Sequence, residues 1–286
     1  MGFLLSCRPS SASFRWGLLA SEWLARLIPE PFRDFLPYTS LSAVKVIHTG
    51  QVLERALGIV QHQGSEAARA REAEVLSTSL RSAGLSLRVA RAPVPPLDVS
   101  GLGAATRAAI GEQVLALYFH QLHSQGVWFL DLRPRHFAWD AERRSLAFFP
   151  SGLWYQPEPD FRRRVRALYA GFYRQDRAAL SEGVELYSWG TRPLAGFADR
   201  IELLLREHFG PGDARETRFS IAHFRETFEH VFRETARSRA KLHPELTFLG
   251  VGLVGLYLTL EQLQVPLNAR AAFEANAPAY TGPRAA

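Results

Sequence analysis

Between two long stretches of helical periodicity the chain changes rhythm over Gly126–Gly152, GVWFLDLRPRHFAWDAERRSLAFFPSG. This segment constrains the fold more than any other. Its apolar run Val127 to Leu130 delivers a single acid, Asp131, into a turn that carries Pro134. Two short runs of β-type residues follow, His136 to Trp139 and Ser145 to Phe149, joined by the polar segment Asp140 to Arg144. Alternating runs separated by a short polar loop predict a β-hairpin. Pro150-Ser151-Gly152 then reads as a turn.

The flanks read as helices. Leu102 to Ser124 places Ile110, Val114, Leu117 and Leu122 on one face. Gln51 to Gln61 and Ser65 to Ser82 are predicted helices, the second stopped by Gly84. Between them and the long helix, Leu85 to Ala92 reads as a short strand, and Pro93, Pro95 and Pro96 form a hinge that no helix crosses. Beyond the hairpin, helices are expected within Phe161–Thr191, Ala195–His208, Ser220–Arg239 and from Leu246 onward. The uncharged run Leu246 to Leu260 has fifteen residues, fewer than the roughly eighteen a membrane span needs. It is therefore expected to be a buried helix, with Gly250, Gly252 and Gly255 allowing close packing.

Ser40 to Gly50, SLSAVKVIHTG, reads as a β-rich run holding one lysine, Lys45. The order is thus lysine strand, acid-bearing helix, proline hinge, long helix, acid loop, hairpin. That order, with the wording AVKVIHTG, Arg71-Glu72-Ala73 and Phe129 to His136, resembles the UbiB (AarF-like) family of atypical kinase-like proteins. In that family the loop reads approximately His-Ala-Asp-Pro/Leu-His-Pro-Gly-Asn and is followed by a hairpin and Asp-Phe-Gly. Asp131 keeps the acid and Pro134 the proline. Arg133 and Arg135 stand for His and Gly, His136 for Asn, and Pro150 for the Asp of Asp-Phe-Gly. The resemblance spans roughly Ala43 to Asn268.

The resemblance implies an α-rich α+β, protein-kinase-like fold. Its expected parts are a reduced N-lobe over 40–92, a helical C-lobe over 97–274, an amphipathic N-terminal extension over 1–39 and a tail over 275–286. It also implies that Lys45 reaches nucleotide phosphates and pairs with Glu72, with Glu74 close behind. Against this stand Pro150, which has no side-chain oxygen, and His136, a nitrogen donor ill matched to Mg²⁺. Magnesium is therefore expected to bind weakly or not at all, and ATP is the candidate nucleotide. Two functions of different class follow: a pseudokinase linked to isoprenoid-quinone (ubiquinone) or lipid metabolism, or an unorthodox ATP-dependent kinase or ATPase using Asp131. Arg133 and Arg135 either bind an outside anion or fill the emptied site with an internal ion pair. Asp131 is either a retained active-site acid or a local partner for those arginines.

Charge and cysteine usage bound the setting. The net charge is +6, carried by 34 basic residues of which only Lys45 and Lys241 are lysines. The arginines are scattered rather than gathered with aromatics, so a nucleic-acid partner is not expected. A protein partner or a lipid or quinone ligand fits better, and the amphipathic helix carrying Trp16, Leu19, Trp23 and Leu27 either packs on the domain, the favoured reading, or makes a peripheral membrane contact. A lone cysteine, Cys7, fits a reducing, cytoplasmic compartment. His120 and His123, at i and i+3, lack an obvious third ligand and are expected to be polar surface or interface residues.

Overall fold

The computed structural model describes residues 30–33, 35, 41–63, 66–124, 126–150, 153–192, 194–209 and 216–277. The expected N-terminal extension before residue 30, the turn residues Ser151 and Gly152, the loop 210–215 and the tail beyond 277 lie outside them. The architecture is α-rich α+β. Besides a single helical turn at Glu30–Arg33, its α-helices are α1 (Leu41–Val46), α2 (Thr49–Gln63), α3 (Glu66–Ser82), α4 (Ala104–Ser124), α5 (Pro159–Tyr173), α6 (Arg177–Val184), α7 (Phe197–Phe209), α8 (Ile221–Arg237), α9 (Leu246–Leu263) and α10 (Ala269–Asn276). The strands are β1 (Arg88–Val89), β2 (Trp128–Phe129), β3 (Phe137–Asp140), β4 (Ser145–Phe148) and β5 (Trp154–Tyr155).

Helix α4 is buried almost all round, because Leu115, Tyr118 and Phe119 are buried along with the predicted face Ile110, Val114, Leu117 and Leu122. Helices α9 and α10 pack on it. The predicted hairpin forms as β3 and β4, antiparallel from Phe137↔Phe148 to Asp140↔Ser145. Its turn is one residue shorter than expected, because Asp140 still pairs and Arg144 turns the chain at φ 49°.

Two expectations are corrected. The Lys45 segment is helix α1, not a strand. Ala43, Val46 and Ile47 stand at helical spacing, the first two buried, and α1 packs against α8. Lys241 Nζ and Leu242 N donate to the carbonyls of Lys45 and Val46 at 2.6 and 2.9 Å, satisfying acceptors that a helix end leaves open. No separate N-lobe sheet forms among the described residues. The short strand β1 instead runs parallel to β4, with Val89 opposite Phe148, and extends the hairpin sheet to the order β1-β4-β3.

The proline run leads to Leu97, which is buried and donates its N–H to the Pro134 carbonyl at 3.0 Å, while its own carbonyl accepts from Gln262. Helix α9 has eighteen residues, longer than the uncharged run suggested. By length and composition it could cross a membrane, but 67% of it is buried inside the fold. Of its three glycines only Gly255 meets a neighbour. A Cβ there would come within 2.9 Å of Leu132 N, whereas one at Gly250 or Gly252 would meet nothing within 4 Å.

Candidate functional site

Asp131 follows a strand that is held on both edges. On one, β5 pairs with β2, and Leu130 N donates to the Leu153 carbonyl at 2.6 Å. On the other, the buried Gln121 side chain of α4 acts as a surrogate strand: its Oε1 accepts from Phe129 N at 3.0 Å, and its Nε2 donates to Phe129 O at 3.3 Å. From below, Thr259 Oγ1 of α9 donates to Leu132 O at 2.5 Å, beside the close approach at Gly255. The loop is therefore fixed by backbone bonds, and Asp131 enters the interior with a side chain that is 0% exposed.

A buried carboxylate needs partners, and the loop supplies three. Arg133 grips it with a fork, Nε to Oδ1 at 2.7 Å and Nη2 to Oδ2 at 2.6 Å, the bidentate geometry in which arginine binds carboxylates best. Arg135 Nη2 reaches Oδ2 at 3.0 Å. His136 Nε2 lies 2.9 Å from the same oxygen. That nitrogen is also 3.0 Å from Arg135 Nε, a pure donor, so it cannot accept from Arg135 and donate to Asp131 at once. His136 Nδ1 is buried without a hydrogen-bond partner, and a proton placed there would be stranded. The tautomer protonated on Nε2 and donating to Asp131 costs least.

Burial by itself would push the Asp131 carboxyl up. The hydrogen bonds from Arg133 and His136, with the charge of Arg133, outweigh it and hold the group far below the usual carboxylate range. One face of the Arg133 guanidinium lies over the Phe35 ring, 4.7 Å from its centre. Both lone-pair sets of the carboxylate are thereby occupied. Its side chain has no exposed surface, so neither oxygen faces outward.

The other predicted positions are distributed as follows. Pro150 is buried, and Phe149, just before it, donates its N–H to His136 O at 2.8 Å, so the two positions implied as metal ligands are neighbours. Neither offers an oxygen-bearing side chain. Among the described residues no group of three or more His, Cys, Asp and Glu side chains could hold a metal ion. Lys45 is exposed on α1 and Glu72 half-buried on α3. No ion pair or hydrogen bond joins them among the described residues; Glu74 pairs instead with the exposed Arg91 at 3.0 Å. The strand geometry on which the Lys45–Glu72 pairing depended is absent.

His120 and His123 both lie at contacts between helices, the first buried and the second half-buried. His120 is buried with Nε2 2.8 Å from Ser79 Oγ, tying α4 to α3. His123 packs edge-on against Phe273, and burial, helped by Arg166 and Arg174, lowers its pKa to about 4.

A second polar knot was not foreseen. Glu245, at the start of α9, is wholly buried, pairs with Arg55 of α2 and accepts from Glu158 N at 3.1 Å; Arg55 also pairs with Glu158. Burial raises the Glu245 carboxyl, against the pull of Arg55. His243 Nδ1 accepts from Glu245 N at 3.2 Å while its ring stacks on Phe161 and meets Trp189 edge-on. In sequence His243-Pro244-Glu245 marks a helix start; nothing in it signals that the acid would be buried.

No family model and no curated protein matches this chain. Among solved structures, the complex structure of Rv3197-erythromycin from Mycobacterium tuberculosis is similar over 65% of this chain and 47% of its own, at 14% identity and a TM-score of 0.45. This chain thus spans about half the length of that protein.

Proposed function

We propose that the protein is a UbiB-like pseudokinase, a kinase-like module that works by binding rather than by transferring phosphate. One observation carries the reading: Asp131, the acid at the catalytic position of the resemblance, is 0% exposed and is neutralised by Arg133, Arg135 and His136 from its own loop. Phosphoryl transfer depends on an acid that orients the nucleophile and on metal-held charge at the phosphates. In the proposed module neither is supplied, since Asp131 is consumed internally and Pro150 and His136 bring no hard oxygen ligand. The order long helix, acid loop, hairpin supports the kinase-like assignment. The link to isoprenoid-quinone or lipid metabolism rests on the resemblance alone.

Nucleotide affinity should be weak, because Lys45 sits exposed on a helix, unpaired with Glu72. A thermal-shift titration checks this. Millimolar ATP should move the melting temperature by less than a degree, with or without Mg²⁺ or Mn²⁺, since a ligand stabilises only by its mass-action occupancy. A saturable, metal-dependent rise of several degrees would overturn the non-catalytic reading and favour an ATP-dependent enzyme using Asp131.

A further inference from the structure

On the side of α9 away from the acid loop lies a cavity of about 680 Å³, bounded by α1, α8 and α9. Its volume is within the range of small-molecule sites, roughly 300–1,000 Å³. Its walls are mainly apolar. Helix α8 contributes a ladder at i, i+4 and i+8, Phe224, Phe228 and Phe232, in which the first two rings stack at 4.6 Å. Helix α9 contributes Leu249, Leu253 and Val254 opposite. Phe228 and Phe232 remain partly exposed, an unusual state for two aromatics on the face a helix turns to its own fold.

The charged residues lining the cavity tell which ligand fits. Among the described residues, two arginines, Arg225 and Arg233, stand with two glutamates, Glu226 and Glu229, so their signs cancel, and Arg233 is already satisfied by Glu229 at 2.8 Å. Arg225, Glu226 and His230 form no ion pair or hydrogen bond among the described residues, so both a donor and an acceptor are available to a polar head group.

We infer that this cavity is a binding site for an uncharged, largely apolar small molecule, its body among Phe224, Phe228, Phe232 and Leu253 and its polar end at Arg225 and Glu226. At about 30 Å³ per water-sized atom the space holds roughly 20 non-hydrogen atoms. The site needs nothing from the reading of Asp131. It does share a wall with that cluster: Phe35 lines the cavity and carries the Arg133 guanidinium on its ring.

The test exploits Gly250, which lines the cavity and whose Cβ would meet nothing within 4 Å. Gly250→Trp projects an indole into the space while replacing a glycine in a helix, so the fold should survive; an unchanged circular-dichroism spectrum checks that it does. The uncharged dye Nile red is titrated into the full chain and then displaced by 1-decanol or by decanoate. The wild type should bind the dye saturably, Gly250→Trp and Phe228→Trp at least tenfold more weakly, and decanol should displace it at least as well as decanoate. Absence of saturable binding, binding by both variants as tight as the wild type's, or preferential displacement by decanoate would each overturn the inference. So would a wild-type dimer in sedimentation velocity that Gly250→Trp dissociates, since a second copy would then be the occupant.

Discussion

At the scale of single residues the account turns on Asp131. Its carboxylate is fully buried and carries the charge that neutralises Arg133, whose side chain is only 11% exposed. Asp131→Asn keeps the shape but strands that cation, and breaking a buried pair in this way costs about 3–5 kcal/mol. Arg135 is half-exposed, and Arg135→Gln should cost no more than about 1 kcal/mol. Urea denaturation of the two variants measures the contrast; equal losses would mean that the fork from Arg133 is not the main support. A second residue sets the response to acid. Burial lowers the His243 pKa to about 4, with Arg55 and Arg164 adding to it and Glu158 and Asp160 opposing. An unfolded histidine titrates near 6.5. Between those values the unfolded chain binds the extra proton, so the contribution is present above about pH 6.5 and is lost as the pH falls toward 4. Discounted for solvent screening, it is about 1–2 kcal/mol. His243→Asn, which retains an acceptor for Glu245 N, should flatten stability between pH 7 and pH 5; an unchanged pH profile would show that the imidazole is not the titrating group. Asp131 acts in the same direction at lower pH, because a depressed carboxyl stabilises above its unfolded pKa and less below it.

At the scale of elements, α9 serves as the floor of the acid loop, and one glycine sets its distance. A methyl group at Gly255 would lie 2.9 Å from Leu132 N and 3.3 Å from Arg133 N, so Gly255→Ala must push the loop away from the helix. Overpacking of this kind costs about 1–3 kcal/mol. At Gly252, where a Cβ meets nothing, the same substitution should raise stability by up to about 1 kcal/mol through helix propensity. Thermal melts of the two variants should therefore shift in opposite directions; shifts of the same sign would contradict the close approach. The sequence predicts α4 and the hairpin well, since α4 is long and periodic and the hairpin strands are short β-type runs joined by a polar loop. It misreads the segment around Lys45 because LSAVKVI satisfies both periods. Val44 and Val46 alternate as in a strand, while Ala43, Val46 and Ile47 repeat as in a helix. The decision comes from packing against α8, more than 170 residues along the chain, and no local propensity reports it.

At the scale of the whole molecule, the features hardest to read are those made by distant pairings. Strand β1 has two residues, too few for a pattern, and joins the hairpin sheet through Arg88↔Ala147 and Val89↔Phe148. Gln121 and Thr259, which fix the acid loop, are ordinary helix residues in sequence and become its clamps only once α4 and α9 are packed. Of the site itself, the acid and its neighbouring arginines are legible as a cluster, but whether those arginines face outward or inward is not. Three side chains from one short loop converge on a buried carboxylate, and under the proposed reading this orientation separates a binding module from an enzyme. Steady-state ATP hydrolysis by the full-length protein with Mg²⁺ or Mn²⁺, beside Asp131→Asn checked for folding by circular dichroism, tests that claim most directly. The account predicts no turnover above the buffer background for either protein. Robust turnover by the wild type that Asp131→Asn abolishes would contradict it.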